Sequence, residues 1–433
     1  MRYRSTHGKS PVVSFRDALF RGMAPDGGLY VPEEFPQLSP ATLDTLHTHS
    51  LQSLGEQILS SFIDEIPPHD LAVITQRAWN FSIPLVQLSD QLFLLELFHG
   101  PTLAFKDVGA RFMAETLSYF LVQENREITI VVATSGDTGS AVAHGFHNTP
   151  NIAVYILYPS GKISRLQEQQ MTTLGGNIRA VEVAGTFDDC QRLVKQALAD
   201  PEVVKARNLT TANSINIGRL LPQIVYYAWA LSQLKAQQRG AVPTVVVPSG
   251  NFGNLTAAAY AKALGLPITH FVAATNVNDV VPHYLETGTF TPRPSIQTLS
   301  NAMDVGNPSN LARLQALYQN NIERMREEIT AIRIGDEETL DEIRRMYDQT
   351  RYIVDPHTAV GVAAARKYLD RKGVVTPLII AATAHPAKFP EIIEQALGVQ
   401  IPLPQPLQDA LLRPKQSVTI DPKFSELRAL LMS

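Results

Sequence analysis

A single cysteine, Cys190, stands in 433 residues. No intrachain disulfide can form, a thiolate metal cluster is excluded, and a reducing cytoplasm suits such a chain. Long apolar runs are missing as well: nothing approaches the ~18 residues that span a bilayer. The opening MRYRSTHGKS lacks the hydrophobic segment of a secretory leader. The expectation is a cytoplasmic protein without a membrane partner. Charge of one sign is also scarce, with 37 Lys and Arg against 41 Asp and Glu and a net charge of -4. No block of like charge is long enough to neutralise a run of phosphates, which argues against nucleic acid. Several catalytic signatures are absent. The GKIS at Gly161 to Ser164 would be a nucleotide-binding loop only with glycine at Ile156 and Ser or Thr at Ile163. G-x-S-x-G and H-E-x-x-H do not occur, so the usual serine hydrolase and zinc protease readings fall away. His144 and His147 share a helix face but have no evident third ligand.

What is present is enough apolar sequence, 45% of the chain, to bury a sizeable core, and a length that predicts two or three packed units. Residues 1–83 combine Pro and Gly punctuation, as in GMAPDGGLYVPEEFP, with helical patterns such as LDTLHTHSLQSLGEQILSSFI, predicting a small, mostly helical N-terminal unit. His47 and His49 fall there as solvated side chains. From Pro84 the pattern changes to short β-branched runs, each followed by a turn and a helical period. Ile128 to Ala133 leads into TSGDTGSA, Ile152 to Leu157 into YPSGKIS, and Ile178 to Val183 into GTFDD, where Thr186 and Asp189 have capping-box spacing. Thr244 to Val247, Ile268 to Ala274 and Leu378 to Ala382 repeat the order. Such runs predict buried, mainly parallel strands in an α/β fold. Residues 311–350 read as surface helices, and the proline-rich 400–416 as a peripheral arm.

Lys106, in LELFHGPTLAFKDVGARF, begins an amphipathic pattern carried by Phe112, Leu117, Phe120 and Leu121. A lysine in the first turn of a helix meets the positive end of the backbone dipole, and apolar neighbours strip its water; both favour the neutral amine. A neutral amine can form a Schiff base with a carbonyl cofactor, of which pyridoxal phosphate is the commonest. The same segment fits a lysine that snorkels from an ordinary amphipathic helix. Ligands of open α/β sheets bind beyond the carboxyl ends of strands, which directs attention to three turns. SGNFGN, Ser249 to Asn254, has the glycines and following helix of a phosphate cradle, although glycine also serves tight turns. ATSGDTGSA, Ala133 to Ala141, adds the hydroxyls of Ser135, Thr138 and Ser140 and would suit a second anion such as a carboxylate. Thr383 and His385 follow a buried strand.

Taken together and in order, FHGPTLAFKD, ATSGDTGSA, NSINIGR, VVPSGNFGN, AATNVNDVVP, TLSNAMDVGNPSN and TAHPAKF resemble the threonine synthase family of the longer bacterial and fungal type, within the fold-type II pyridoxal phosphate enzymes. The opening FRDALFRGMAPDGGLYVP extends the likeness over nearly the whole chain. The resemblance implies two α/β domains around mainly parallel sheets, a larger one of 84–110 and 215–433 and a smaller one of about 111–214, beside the N-terminal unit. It implies that Lys106 carries pyridoxal phosphate and moves protons, that Gly250, Asn251, Phe252, Gly253 and Asn254 hold the cofactor phosphate, and that Thr383 faces its pyridine nitrogen. Ser135 and Thr138 would take the substrate carboxylate; Asn213, Ser214 and Arg219 would take the phosphate of O-phospho-L-homoserine. The implied product is threonine, and the implied assembly is a monomer or homodimer. Many fold-type II enzymes have asparagine where Asp137 lies. An ionised carboxylate there would repel the cofactor's phenolic oxygen, which leaves the role of Asp137 open. Serine or threonine dehydratases and cysteine synthases share the lysine and the glycine turn but need no second phosphate site. A non-catalytic, cofactor-retaining protein is the alternative from another class.

Overall fold

The computed structural model describes residues 1–238, 240–373 and 376–433. Two antiparallel strands open the chain, β1 (Tyr3–Ser5) and β2 (Tyr30–Pro32), among short helices that include Leu51–Ser60 and Pro68–Ala78. This N-terminal unit packs on the helix Lys106–Glu124. Trp79 stacks on Phe112 with centroids 5.7 Å apart and donates from Nε1 to the Val108 carbonyl at 3.0 Å. Arg111 returns a bond to the Ala78 carbonyl at 2.7 Å.

Beyond it the strands are β3 (Leu85–Gln87), β4 (Leu92–Glu96), β5 (Ile128–Ala133), β6 (Ile152–Pro159), β7 (Ile178–Val183), β8 (Leu209–Thr210), β9 (Thr244–Pro248), β10 (His270–Thr275), β11 (Ile329–Arg333), β12 (Leu378–Ala382) and β13 (Ser417–Ile420). They form two sheets. The larger has the order β11-β10-β9-β12-β4-β3, parallel except for β3 against β4. The smaller has the order β13-β7-β6-β5-β8 and is parallel throughout. Every residue of β4, β5, β9 and β12 is buried, because helices cover both faces of each sheet, as parallel strands require. The helix Pro356–Lys372 covers one face of the larger sheet. Phe187–Ala199 and Phe424–Met432 cover the outer face of the smaller. Thr186 and Asp189 form the expected capping box.

Three readings of the sequence change. The stretch 311–350 is not all helix, since β11 emerges from it as an edge strand. The segment Ser417–Ile420, expected in the larger unit, pairs with β7 in the smaller sheet. The proline-rich arm carries the helix Gln405–Leu412, whose buried Leu407 packs with Leu103, Leu166 and Ala387 beside the Lys106 turn.

Candidate active site

Neighbouring strands β9, β12 and β4 deliver the candidate residues to one edge of the larger sheet. The first ends in the glycine turn, the second in Thr383, and the third leads to Lys106. Backbone bonds join the last two: Phe105 N–H donates to the Thr383 carbonyl at 2.9 Å, and His385 N–H donates to Leu103 at 3.0 Å. Lys106 opens its helix, as its sequence predicts.

Lys106 stands at the partly exposed edge of a buried charged cluster. Its Nζ lies 3.7 Å from Oδ2 of Asp137 and 5.1 Å from the centroid of the Phe105 ring. Burial lowers its pKa below the ordinary lysine value; Asp137 opposes this, while Lys388 and Arg219 reinforce it. Asp137 is compensated in turn. Lys388 Nζ approaches its Oδ1 at 2.8 Å, and Gln167 Nε2 donates to the same oxygen at 3.0 Å. Burial alone would raise the Asp137 pKa, but Lys388 and then Lys106 reverse the sign and hold it below the usual carboxylate range. The negative charge that made this position a puzzle therefore has a fixed partner.

The glycine turn is built for close approach. A Cβ on Gly250 would lie 2.7 Å from the Met303 Cα and 3.0 Å from the Ala302 carbonyl oxygen. Phe252 takes a left-handed conformation with φ of 60°, after which the helix Gly253–Ala263 begins. Asn251 donates to the Ser214 hydroxyl and accepts from Ser309 N–H at 2.6 Å. Asn254 Oδ1 accepts from the hydroxyls of Tyr226 and Tyr227, yet its buried Nδ2 has no partner among the described residues. A buried unpaired donor costs about 1–3 kcal/mol. With a helix N-terminus beside it, this orphan donor fits an anionic group such as the cofactor phosphate.

In the second turn Thr134 Oγ1 accepts from the N–H groups of Gly136 at 2.9 Å and Gly139 at 2.8 Å. Gly136 has φ of 140°, and a Cβ there would strike Gln167 at 2.5 Å. Ser140 is bonded to the Gly136 and Gln167 carbonyls. Ser135 and Thr138 are part-exposed at the start of the helix Asp137–Phe146.

The segment NSINIGR divides. Asn213 brackets the end of β5, donating to the Ala133 carbonyl at 2.8 Å and accepting from its N–H at 3.2 Å. Ser214 accepts from Asn251 and from Asn310, the latter at 3.3 Å, so its hydroxyl stands at the glycine turn and not in a separate pocket. Arg219 is buried elsewhere in the cluster. It donates from one terminal nitrogen to the Ala212 carbonyl, and its Nε has no partner among the described residues. Burial pushes its pKa down to about 10, opposed by Asp107.

Lys388, Gln167 and Arg313 escaped the sequence reading. Lys388 had a signal, as a lone cation in the small-residue run AHPAKF just past a buried strand. Arg313 had none: its helical segment reads as an exposed face, yet its side chain is fully buried.

Comparison with known proteins agrees with this geometry. Residues 81–379 match the family described as pyridoxal-phosphate dependent enzyme. Residues 2–79 and 358–431 match those described as threonine synthase N terminus and threonine synthase, C-terminal. The chain belongs to the threonine synthase family. It is 46% identical to threonine synthase of Haemophilus influenzae over 97% of each chain. Among solved structures, threonine synthase of Escherichia coli superposes with a TM-score of 0.93 at 43% identity, covering 100% of this chain and 99% of that one. The pyridoxal phosphate-bound threonine synthase of Brucella melitensis has a TM-score of 0.92 at 38% identity, with the same coverage. Membership makes the chain a fold-type II, pyridoxal phosphate-dependent lyase. No helix among the described residues is long and apolar enough to cross a membrane.

Proposed function

We propose that the chain converts O-phospho-L-homoserine and water to L-threonine and phosphate, the last step of threonine biosynthesis. The observation that carries the reading is the buried guanidinium of Arg219, whose Nε is unpaired among the described residues and would lie 3.2 Å from a Cβ on Gly109, one turn along the helix that Lys106 opens. A site for one phosphate would need only the turn; a substrate with its own phosphate needs a second donor set.

When bound, pyridoxal phosphate supplies the electron sink that side chains lack. Gly250, Asn251, Phe252, Gly253 and Asn254 would hold its phosphate through backbone N–H groups and the unpaired Asn254 amide, and Thr383 would face its ring nitrogen. Lys106, held toward its neutral form, carries the cofactor and moves protons at the α and β carbons of the substrate. Ser135 and Thr138, at a helix N-terminus, take the substrate carboxylate. Arg219 binds the departing phosphate, for which two parallel guanidinium bonds suit better than a single ammonium. Asn213 fixes the end of β5 and Ser214 the glycine turn, so each shapes the pocket. Water then adds at the β carbon.

The division into an N-terminal unit of 1–83 and two α/β units is part of the same proposal, with β13 now assigned to the smaller. The assembly proposed with it is a monomer or a homodimer. A cytoplasmic setting is supported by the single, buried Cys190 thiol.

The test is phosphate release. O-Phospho-L-homoserine should yield phosphate and threonine in equal amounts, whereas serine and homoserine should yield nothing. Turnover of serine would favour a dehydratase. Borohydride reduction followed by peptide mass spectrometry should locate the pyridoxyl adduct on Lys106; an adduct elsewhere overturns its role.

A further inference from the structure

Lys388 has no part in the reaction as proposed, yet its side chain is wholly buried, at 0% exposure. Its ammonium is 2.8 Å from Asp137 Oδ1 and donates at 2.8 Å to the Thr102 carbonyl. A buried ammonium is expensive to desolvate and is retained only where paired and bonded. Thr102 is itself pinned, donating from N–H and Oγ1 to Asp107 at 2.9 and 2.7 Å. Lys388 thus joins the turn before Lys106 to the carboxylate that faces Lys106.

Charge counting gives the arrangement a purpose. Lys106, 16% exposed at its side chain, borders a cluster of the buried Lys388 and Arg219 with two buried carboxylates, Asp107 and Asp137. Lys388 and Arg219 already balance both acids, so an ammonium at Lys106 would leave an excess positive charge in a largely desolvated site. Geometry ranks the two lysines on Asp137. Lys388 is in direct hydrogen-bond contact at 2.8 Å, whereas Lys106 stands off at 3.7 Å.

We propose that Lys388 is a positioning residue for the active-site lysine: by occupying Asp137 Oδ1 it fixes and neutralises that carboxylate, and so prevents Asp137 from holding the proton on the Lys106 nitrogen. The pair carries a net charge of zero. This rests on the proposed role of Lys106 as the cofactor-bearing residue. The other charged or titratable groups facing the pair are Arg219, Asp107, His144, His357 and His385.

The test follows the proton on the Lys106 nitrogen by 15N NMR in holoenzyme labelled at lysine Nζ. It compares the wild type with Lys388→Gln, Asp137→Asn and the double variant Asp137→Asn/Lys388→Gln across pH. Removing Lys388 alone should free Asp137 to hold the proton and raise the apparent proton affinity of the Lys106 nitrogen about tenfold, one pH unit. Removing Asp137 alone leaves Lys388 unbalanced and should lower it. The double variant should return close to wild type, and Lys388→Arg should stay nearer wild type than Lys388→Gln. Shifts of the same sign in the two single variants, or a double variant that fails to return, overturn the proposal. If Lys388→Gln does not fold, Asp137→Asn and the double variant decide alone, with the double variant required to lie above Asp137→Asn. A borohydride adduct found away from Lys106 would instead overturn the parent assignment, a result read independently of these shifts.

Discussion

Arg313 donates from Nε to the backbone carbonyl of Tyr30 at 3.1 Å, across 283 residues of chain. The same guanidinium reaches the carbonyls of Ser214 at 2.9 Å and Ile215 at 2.6 Å, and the Asn310 side chain at 2.7 Å. One buried cation thus fastens the N-terminal unit to Ser214, whose hydroxyl touches the glycine turn. Burial pushes its pKa down to about 10, opposed by Tyr260. Arg313→Lys keeps the charge but cannot serve four spread acceptors. Each lost bond to a charged group is worth about 1.5–3 kcal/mol, so stability should fall by roughly 2–4 kcal/mol, with weaker cofactor retention. Denaturant unfolding and cofactor titration of the variant measure both; unchanged retention would show that the brace does not reach the site.

Lys106→Ala should abolish turnover and leave the fold intact. Asp137 keeps its contacts with Lys388 and Gln167, so no buried charge is orphaned, and stability should change by only about 1 kcal/mol. Threonine formation and the melting temperature are the two readouts.

Gly250 and Gly253 sit in one turn but differ in what a methyl group would meet. At Gly250 it would strike backbone, the Met303 Cα at 2.7 Å, whereas at Gly253 the nearest atom is the Asn310 Nδ2 at 3.3 Å. Gly250→Ala should therefore weaken cofactor affinity by at least about tenfold, roughly 1.4 kcal/mol. Gly253→Ala should do less. Equal losses would mean that the close packing against Met303 does not shape the cradle.

Arg219→Lys should raise KM for O-phospho-L-homoserine more than it lowers kcat, since a lysine retains charge and loses the paired geometry. An unchanged KM would place the substrate phosphate on other groups.

His144 has its pKa lowered to about 4, by burial first and by His147 next. A base depressed in the folded state stabilises the fold fully above its ordinary value of 6.5, and that contribution is lost as pH falls through about 4. His144→Gln should consequently lose less stability than wild type between pH 6.5 and 4, by about 1–2 kcal/mol. Thermal melts at the two ends of that interval give the difference.

Strand signals that rest on continuous β-branched burial were plain in the chain, and β5, β9 and β12 fall where ITIVVA, TVVV and LIIAA predict. The edge strand β11 was not legible, because ITAIR is half-exposed and lies between charged helices. Lys106 and the glycine turn could be found because each breaks a local pattern. The pairing of Lys388 with Asp137 could not, since it joins residues from two sheets through a crossing that no periodicity records. The resemblance implies that Ser214 acts with Arg219, yet Ser214 bonds Asn251 at the glycine turn while Arg219 bonds the Ala212 carbonyl, on either side of Asn216, whose side chain holds the Leu19 and Thr211 carbonyls.

The last strand, β13, lies along the free edge of β7, pairing Ser417 with Ala180. During synthesis, β7 emerges long before its neighbour and must wait with an open row of amides and carbonyls. Helical segments and the apolar Leu427 and Leu431 arrive only with that same late stretch. Completion of the smaller layer therefore awaits synthesis of residues 417–431, and a nascent chain stalled before residue 417 would offer a sticky ribbon to chaperones.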